Sequence, residues 1–126
     1  MRTNDLKALV WTKLKTVTAK VYFELADDDS IYPHIVFNFR RIDLGDLYRQ
    51  DYVLEVDVWD KITDTNQTTT RINNLTDSVE KLLQAENLPQ ENILPTFYLM
   101  DEQDVLDEDK KIRHRKIQFQ VQNYER

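Results

Sequence analysis

The 126-residue sequence contains no cysteine and a single glycine, Gly45, together with only three prolines and two histidines. Each scarcity removes a class of chemistry. Without cysteine there is no thiolate nucleophile and no cysteine-bound zinc, and the lack fits a reducing compartment without requiring one. One glycine cannot build a loop that brings several backbone N–H groups against a phosphate, which excludes P-loop and dinucleotide fingerprints. Ser30 and Ser78 are the only serines, and neither lies in a strand-turn-helix elbow, so a serine triad with His34 or His114 is not expected. No apolar run approaches the length that crosses a bilayer. The opening "MRTNDLKALVWTKLK" is broken by Asp5, Lys7 and Lys13 and lacks the apolar centre of a secretory signal. The expectation is a soluble protein inside a cell, where the sequons at Asn66 and Asn74 carry little weight.

Charge is what the sequence has in quantity. Charged residues make up 32% and hydrophobic residues 40%, the balance of a globular protein rather than a disordered one. A chain of this length suits one domain, residues 1–126, with a single packed core. The formal net charge of −6 argues against nucleic-acid binding, which rests on Lys and Arg displacing counterions from phosphates. One basic cluster, "KKIRHRK" at 110–116, stands beside the acidic run "DEQDVLDED" at 101–109.

Hydrophobic periodicity divides the chain into two helices and five strands. Leu6, Leu9, Val10, Leu14 and Val17 recur at three- and four-residue intervals over 3–17, with Thr3 or Asn4 available as a cap. "AKVYFELA" and "HIVFNFRR" alternate as strands, separated by "DDDSIYP". In "RQDYVLEVDVWD" one side carries Tyr52, Leu54, Val56 and Val58, and the other Val53, Glu55, Asp57 and Trp59. Short links between these three predict an antiparallel meander. Ile72, Leu75, Val79, Leu82 and Leu83 keep helical spacing over 69–85. Pro89 and Pro95 mark "ENLPQENILP" as a loop, after which "TFYLMDEQD" and "IRHRKIQFQVQNYE" form a closing hairpin. The order αβββαββ reads as an α+β domain, a mainly antiparallel sheet with both helices on one face. Pairing Leu99 with Ile117 sets Asp101 against Arg115 and Glu102 against His114, so the basic run reads as the charged arm of that hairpin.

Glu55 and Asp57 lie two apart, about 6.5–7 Å on one strand face, with Asp60 just beyond. They raise a divalent-metal hydrolase or nuclease as one reading, although no spacing here matches a metal motif. The plainer reading is a strand whose second face is wet or docks another subunit, since a mixed apolar, charged and aromatic surface suits an interface. An acidic DNA-mimicking inhibitor is a third reading.

The series "YPHIVF", "YVLEVDVWDK", a helix ending "VEKLL" and a final "RKIQFQVQNYE" resembles the tail-completion or tail-terminator (head-tail joining) proteins of long-tailed bacteriophages and prophages. The likeness runs from about Leu6 to Tyr124. One departure is "VLDEDKK", standing where the family has a proline-containing turn. The resemblance implies a structural virion assembly protein, not an enzyme and without cofactor or metal. It would form a hexameric ring on the tail tube, end tail polymerisation and present the head-tail joining surface. The implied partners are further copies of itself, the tail tube protein and the head connector. DNA would pass through the channel without specific binding, and no membrane is involved. The implied location is the bacterial cytoplasm during assembly, then the virion neck.

Within that reading the candidate interface residues are Val53, Glu55, Asp57 and Trp59 on the third strand, Asp46, Tyr48 and Arg49 in the connection before it, and Asp107, Glu108 and Asp109 at the hairpin tip. Candidate channel-lining residues are Asp27, Asp28, Asp29, Asp101 and Glu102, because an acidic lumen keeps DNA from sticking.

Overall fold

The apolar rows expected from alternation meet in one five-stranded sheet. A computed structural model of the protein describes residues 2–18, 20–26, 31–43, 49–63, 69–84 and 93–125. The elements are α1 (Arg2–Leu14), β1 (Val21–Phe23), β2 (His34–Asp43), β3 (Arg49–Lys61), α2 (Thr70–Gln84), β4 (Ile93–Val105) and β5 (Ile112–Glu125). The strands lie in the order β1-β2-β3-β5-β4, so β5 is inserted between β3 and β4. This is the α+β architecture and αβββαββ order expected from the sequence.

The inward row of β3, Leu54, Val56 and Val58, is fully buried, and register places Phe39, Phe37 and Ile35 of β2 beside it. On its other flank Phe119 and Ile117 of β5 face Leu54 and Val56. Leu6, Leu9, Val10 and Leu14 of α1 and Ile72, Val79 and Leu83 of α2 close over these rows, giving one core with both helices on the same face. Burial of one such side chain contributes roughly 1.5–3 kcal/mol. Thr76 is buried within α2 and satisfies its hydroxyl by donating to the Ile72 carbonyl at 2.8 Å. α1 packs against both edge strands, β1 and β4, while α2 lies over β3, β5 and β4. The sheet therefore curves around α1.

Four expectations are corrected. The first strands do not form an antiparallel meander, because β1 runs parallel to β2, with Val21 opposite Ile35 and Phe23 opposite Phe37. A three-residue strand rises only about 10 Å, so little return is needed before β2 starts at His34. Pro95 lies inside β4 rather than in a loop. It is tolerated because β4 is an edge strand, where a missing N–H removes no ladder bond on the open side. The closing hairpin slips two residues from the expected register, pairing Leu99 with Phe119, which leaves the same side chains facing inward. A bulge at Met100 then adds one residue, so Asp101 meets Gln118, Glu102 meets Ile117 and Asp104 meets Arg115. α1 begins at Arg2, ahead of both residues expected to cap it.

The turn out of β1 carries local strain. Glu24 has φ 67°, in the left-handed region. The Leu25 N–H donates to the Phe23 carbonyl at 2.8 Å across it, the geometry of a γ-turn. The Glu24 N–H donates to the Phe37 carbonyl at 2.8 Å and holds the turn against β2. An L-residue with a Cβ costs roughly 1–2 kcal/mol in this conformation. Glu24→Gly is therefore expected to raise stability by about 0.5–1 kcal/mol, and Glu24→Val to lower it. Urea unfolding of the three proteins measures the order.

Candidate functional site

The face of the sheet away from the helices is built by the alternate residues of the same strands. Register aligns His34, Trp59 and His114 across β2, β3 and β5, then Val36, Asp57 and Lys116, then Asn38, Glu55 and Gln118. Trp59 lies flat against His114, with ring centroids 3.7 Å apart and planes 14° apart, and near-parallel to His34 at 6.1 Å. Tyr32 and Tyr22 approach His34 at 5.0 and 6.0 Å. The His114 Nε2 and Asp57 Oδ1 are 2.6 Å apart, a hydrogen bond that fixes the ring under the indole. Burial holds the His34 imidazole below its ordinary pKa, opposed by a hydrogen bond with the Ile31 carbonyl and reinforced by His114.

The carboxylates of this face are spoken for by β5. Gln118 Nε2 donates to Glu55 Oε1 at 3.1 Å, and Lys116 Nζ stands 3.8 Å from Glu55 Oε2. A concavity of about 490 Å³ opens beside them, lined by Tyr32, His34, Trp59, His114 and Lys116 among others. Its described lining offers an Asp–His pair but no serine, threonine or cysteine for that pair to activate.

Asp60 is not part of this face. Strand alternation turns it to the helix side, where it is 1% exposed and is gripped by Arg71 from the first turn of α2. Arg71 Nε donates to both carboxylate oxygens at 3.1 Å, its second guanidinium nitrogen also reaches Oδ1, and the Lys61 backbone N–H adds a bond at 2.8 Å. The hydrolase reading needed Glu55, Asp57 and Asp60 around one ion. The sheet lies between the first two and the third. No group of three or more potential ligands is assembled among the described residues.

The other predicted residues fall in several places. Val53 shares the outer face with Glu55, Asp57 and Trp59, but is only 2% exposed within the chain itself. Arg49 opens β3, with its side chain outside the described residues, as are Asp46, Tyr48, Asp27, Asp28 and Asp29. Asp107, Glu108 and Asp109 are exposed at the hairpin tip. There Asp107 accepts from the Asp109 N–H and Asp109 from the Lys111 N–H, both at 2.9 Å, so two of the three shape the turn. Asp101 and Glu102 are both exposed, on opposite faces of β4.

Glu102 faces α2 and Glu80. A hydrogen bond between these carboxyls, followed by burial and the Glu102 charge, pushes Glu80 up to about 7. Glu80 Oε1 is buried without a partner among the described residues, an arrangement that a shared proton eases. Arg115 balances the acids, donating to Asp104 at 2.8 Å and to Asn73 of α2 at 2.6 Å. The basic run is thus split by alternation. Arg115 serves β4 and α2, whereas His114 and Lys116 serve β3. Sequence reasoning paired β5 only with β4, and so missed His114 and Lys116 as partners of the acidic strand; their alternation with Arg115 was the available signal.

No protein family and no curated protein sequence matches the chain. Solved structures do match its fold. A chain from the virion of a native gene transfer agent particle superposes with TM-score 0.72 at 11% identity, covering 94% of this chain and 94% of that one. A second solved chain superposes with TM-score 0.64 at 10% identity, covering 94% of this chain and 89% of that chain. At these identities the likeness is one of fold.

Two expectations follow for the charged groups. Arg71→Ala leaves the Asp60 carboxylate buried without its main counter-charge. It is expected to cost about 3 kcal/mol, the low end for a broken buried pair because the Arg71 side chain is 40% exposed. Asp60→Asn, which removes the charge, is expected to cost less; chemical denaturation orders the two. Glu80 binds its proton more tightly in the folded chain than in the unfolded one. Its contribution is therefore complete below about 4.5 and lost as pH rises to about 7. The difference in stability between the wild type and Glu80→Gln, measured from pH 4 to 8, should shrink or reverse across that window. A flat difference would contradict the shared proton.

Proposed function

We propose that this chain is a structural component of a phage-like virion, a ring-forming cap that ends tail-tube growth and presents the head-tail joining surface. The observation that carries the reading is the fold held in common with a chain of the gene transfer agent virion over nearly the whole of both chains. The sequence resemblance to tail-terminator proteins supports the narrower reading of a tail cap. The outer face of the sheet is in keeping with this role: its charges are matched across strands and its aromatic stack is fixed, as a rigid contact surface requires.

In this reading the work is done by surfaces, not by a reaction. Glu55, Asp57 and Trp59 offer a mixed polar and aromatic face to a neighbouring protein, with tail tube protein and head connector as the two classes of neighbour. Asp101 borders the lumen, where negative charge lets DNA slide past without binding, and the tip acids Asp107, Glu108 and Asp109 join the contact surface. Further copies of the chain complete the ring.

The test is genetic and visual. A phage or prophage lacking this gene is expected to make tails of abnormal, extended length that do not join to heads, with normal tubes and filled heads otherwise. Electron microscopy of the lysate reads both outcomes. Tails of normal length joined to heads would refute the reading.

A further inference from the structure

The two edge strands carry different apolar surfaces flanked by opposite charge. On the β1 edge, Trp11 of α1 is 42% exposed and lies over a cleft of about 460 Å³ lined by Asn4, Lys7, Ala8, Trp11 and Phe23. The cleft is cationic. Lys7 Nζ sits 4.2 Å from the Phe23 ring centroid and Lys15 Nζ 4.9 Å from that of Trp11. On the β4 edge the bulge leaves Met100 outside the ladder and 53% exposed, directly after the exposed Tyr98 and Leu99. That ridge is bordered on the helix side by the acids Glu102 and Asp104, which share the guanidinium of Arg115.

An edge strand with three consecutive exposed apolar residues is a template for association, and soluble chains ordinarily blunt it with charge or cover it. Here the charge begins just past the bulge. A flexible methionine is suited to an irregular aromatic cleft, where its sulfur gains from ring contact. Cations beside the cleft and acids beside the ridge set the orientation of approach.

We infer that the Met100 ridge of one copy seats in the Trp11–Phe23 cleft of a second copy. This joins two different surfaces of the same chain and so propagates head to tail, as a ring requires. The inference rests on the proposed ring and names the contact that closes it. It leaves the outer face, with Glu55, Asp57 and Trp59, for other proteins.

The absence of native cysteine makes the contact directly testable. Ala8 and Met100 are both exposed, so Ala8→Cys and Met100→Cys are expected to fold as the wild type does, which an unchanged unfolding midpoint verifies. On mild oxidation of concentrated protein, the mixture of the two single variants should yield mainly the 8–100 disulfide, identified by peptide mass. The double variant should yield a ladder beyond dimer. Adding Lys7→Glu should slow the 8–100 cross-link at least about tenfold, because it sets like charges together. A predominance of 8–8 or 100–100 disulfides, or a double variant that stops at dimer, overturns the contact. Native mass spectrometry and imaging of isolated tails separate this result from the ring itself. A hexamer without the 8–100 bond overturns only the contact, whereas a chain that stays monomeric in solution and on tails, with no cross-link, overturns both.

Discussion

The inward row of β3 is the surface on which the rest of the molecule depends. Leu54, Val56 and Val58 are in contact register with β2 on one flank and β5 on the other, and both helices close over them. Because side-chain direction alternates residue by residue, committing this row to the core also commits Glu55, Asp57 and Trp59 to the outer face. The same rule sends Asp60 inward, against the tendency of its charge. Arg71 in the first turn of α2 supplies the counter-charge for its burial, so the ion pair also fixes how the second helix meets the end of the strand.

β5 acts as a charge bridge. Its successive residues His114, Arg115 and Lys116 point alternately to the two faces, where they meet acids of β3 on one and acids of β4 on the other. A net acidic chain thereby keeps two cations and a histidine at the seam between its two most acidic strands. The pairs of Arg115 with Asp104 and of Lys116 with Glu55, which reach solvent, contribute little stability each. Their effect is on register, since a slip of one residue would set Lys116 facing the helices and Arg115 facing Asp57.

Much of the architecture was legible in the sequence, because it was written in period. The two helices, the inward rows of β2, β3 and β5, and the division of β3 into a core side and a polar side all follow from spacing alone. What could not be read was whatever depended on partners distant along the chain. The parallel pairing of β1 turns on how residues 24–33 return, and the bulge at Met100 on the whole hairpin. The place of β5 between β3 and β4 is invisible to local pattern, and with it the capture of Asp57 by His114. Asp60 was grouped with Glu55 and Asp57 in the metal-site reading for the same reason, its counter-ion being eleven residues away on a helix.

The insertion of β5 between β3 and β4 also bears on how the protein comes into being. During synthesis β3 and β4 emerge before β5, the strand that lies between them in the finished sheet. Pairing across such sequence separations is slow to nucleate. The nascent chain therefore passes through a stage with two unsatisfied borders, in which premature association with sister chains competes with its own completion.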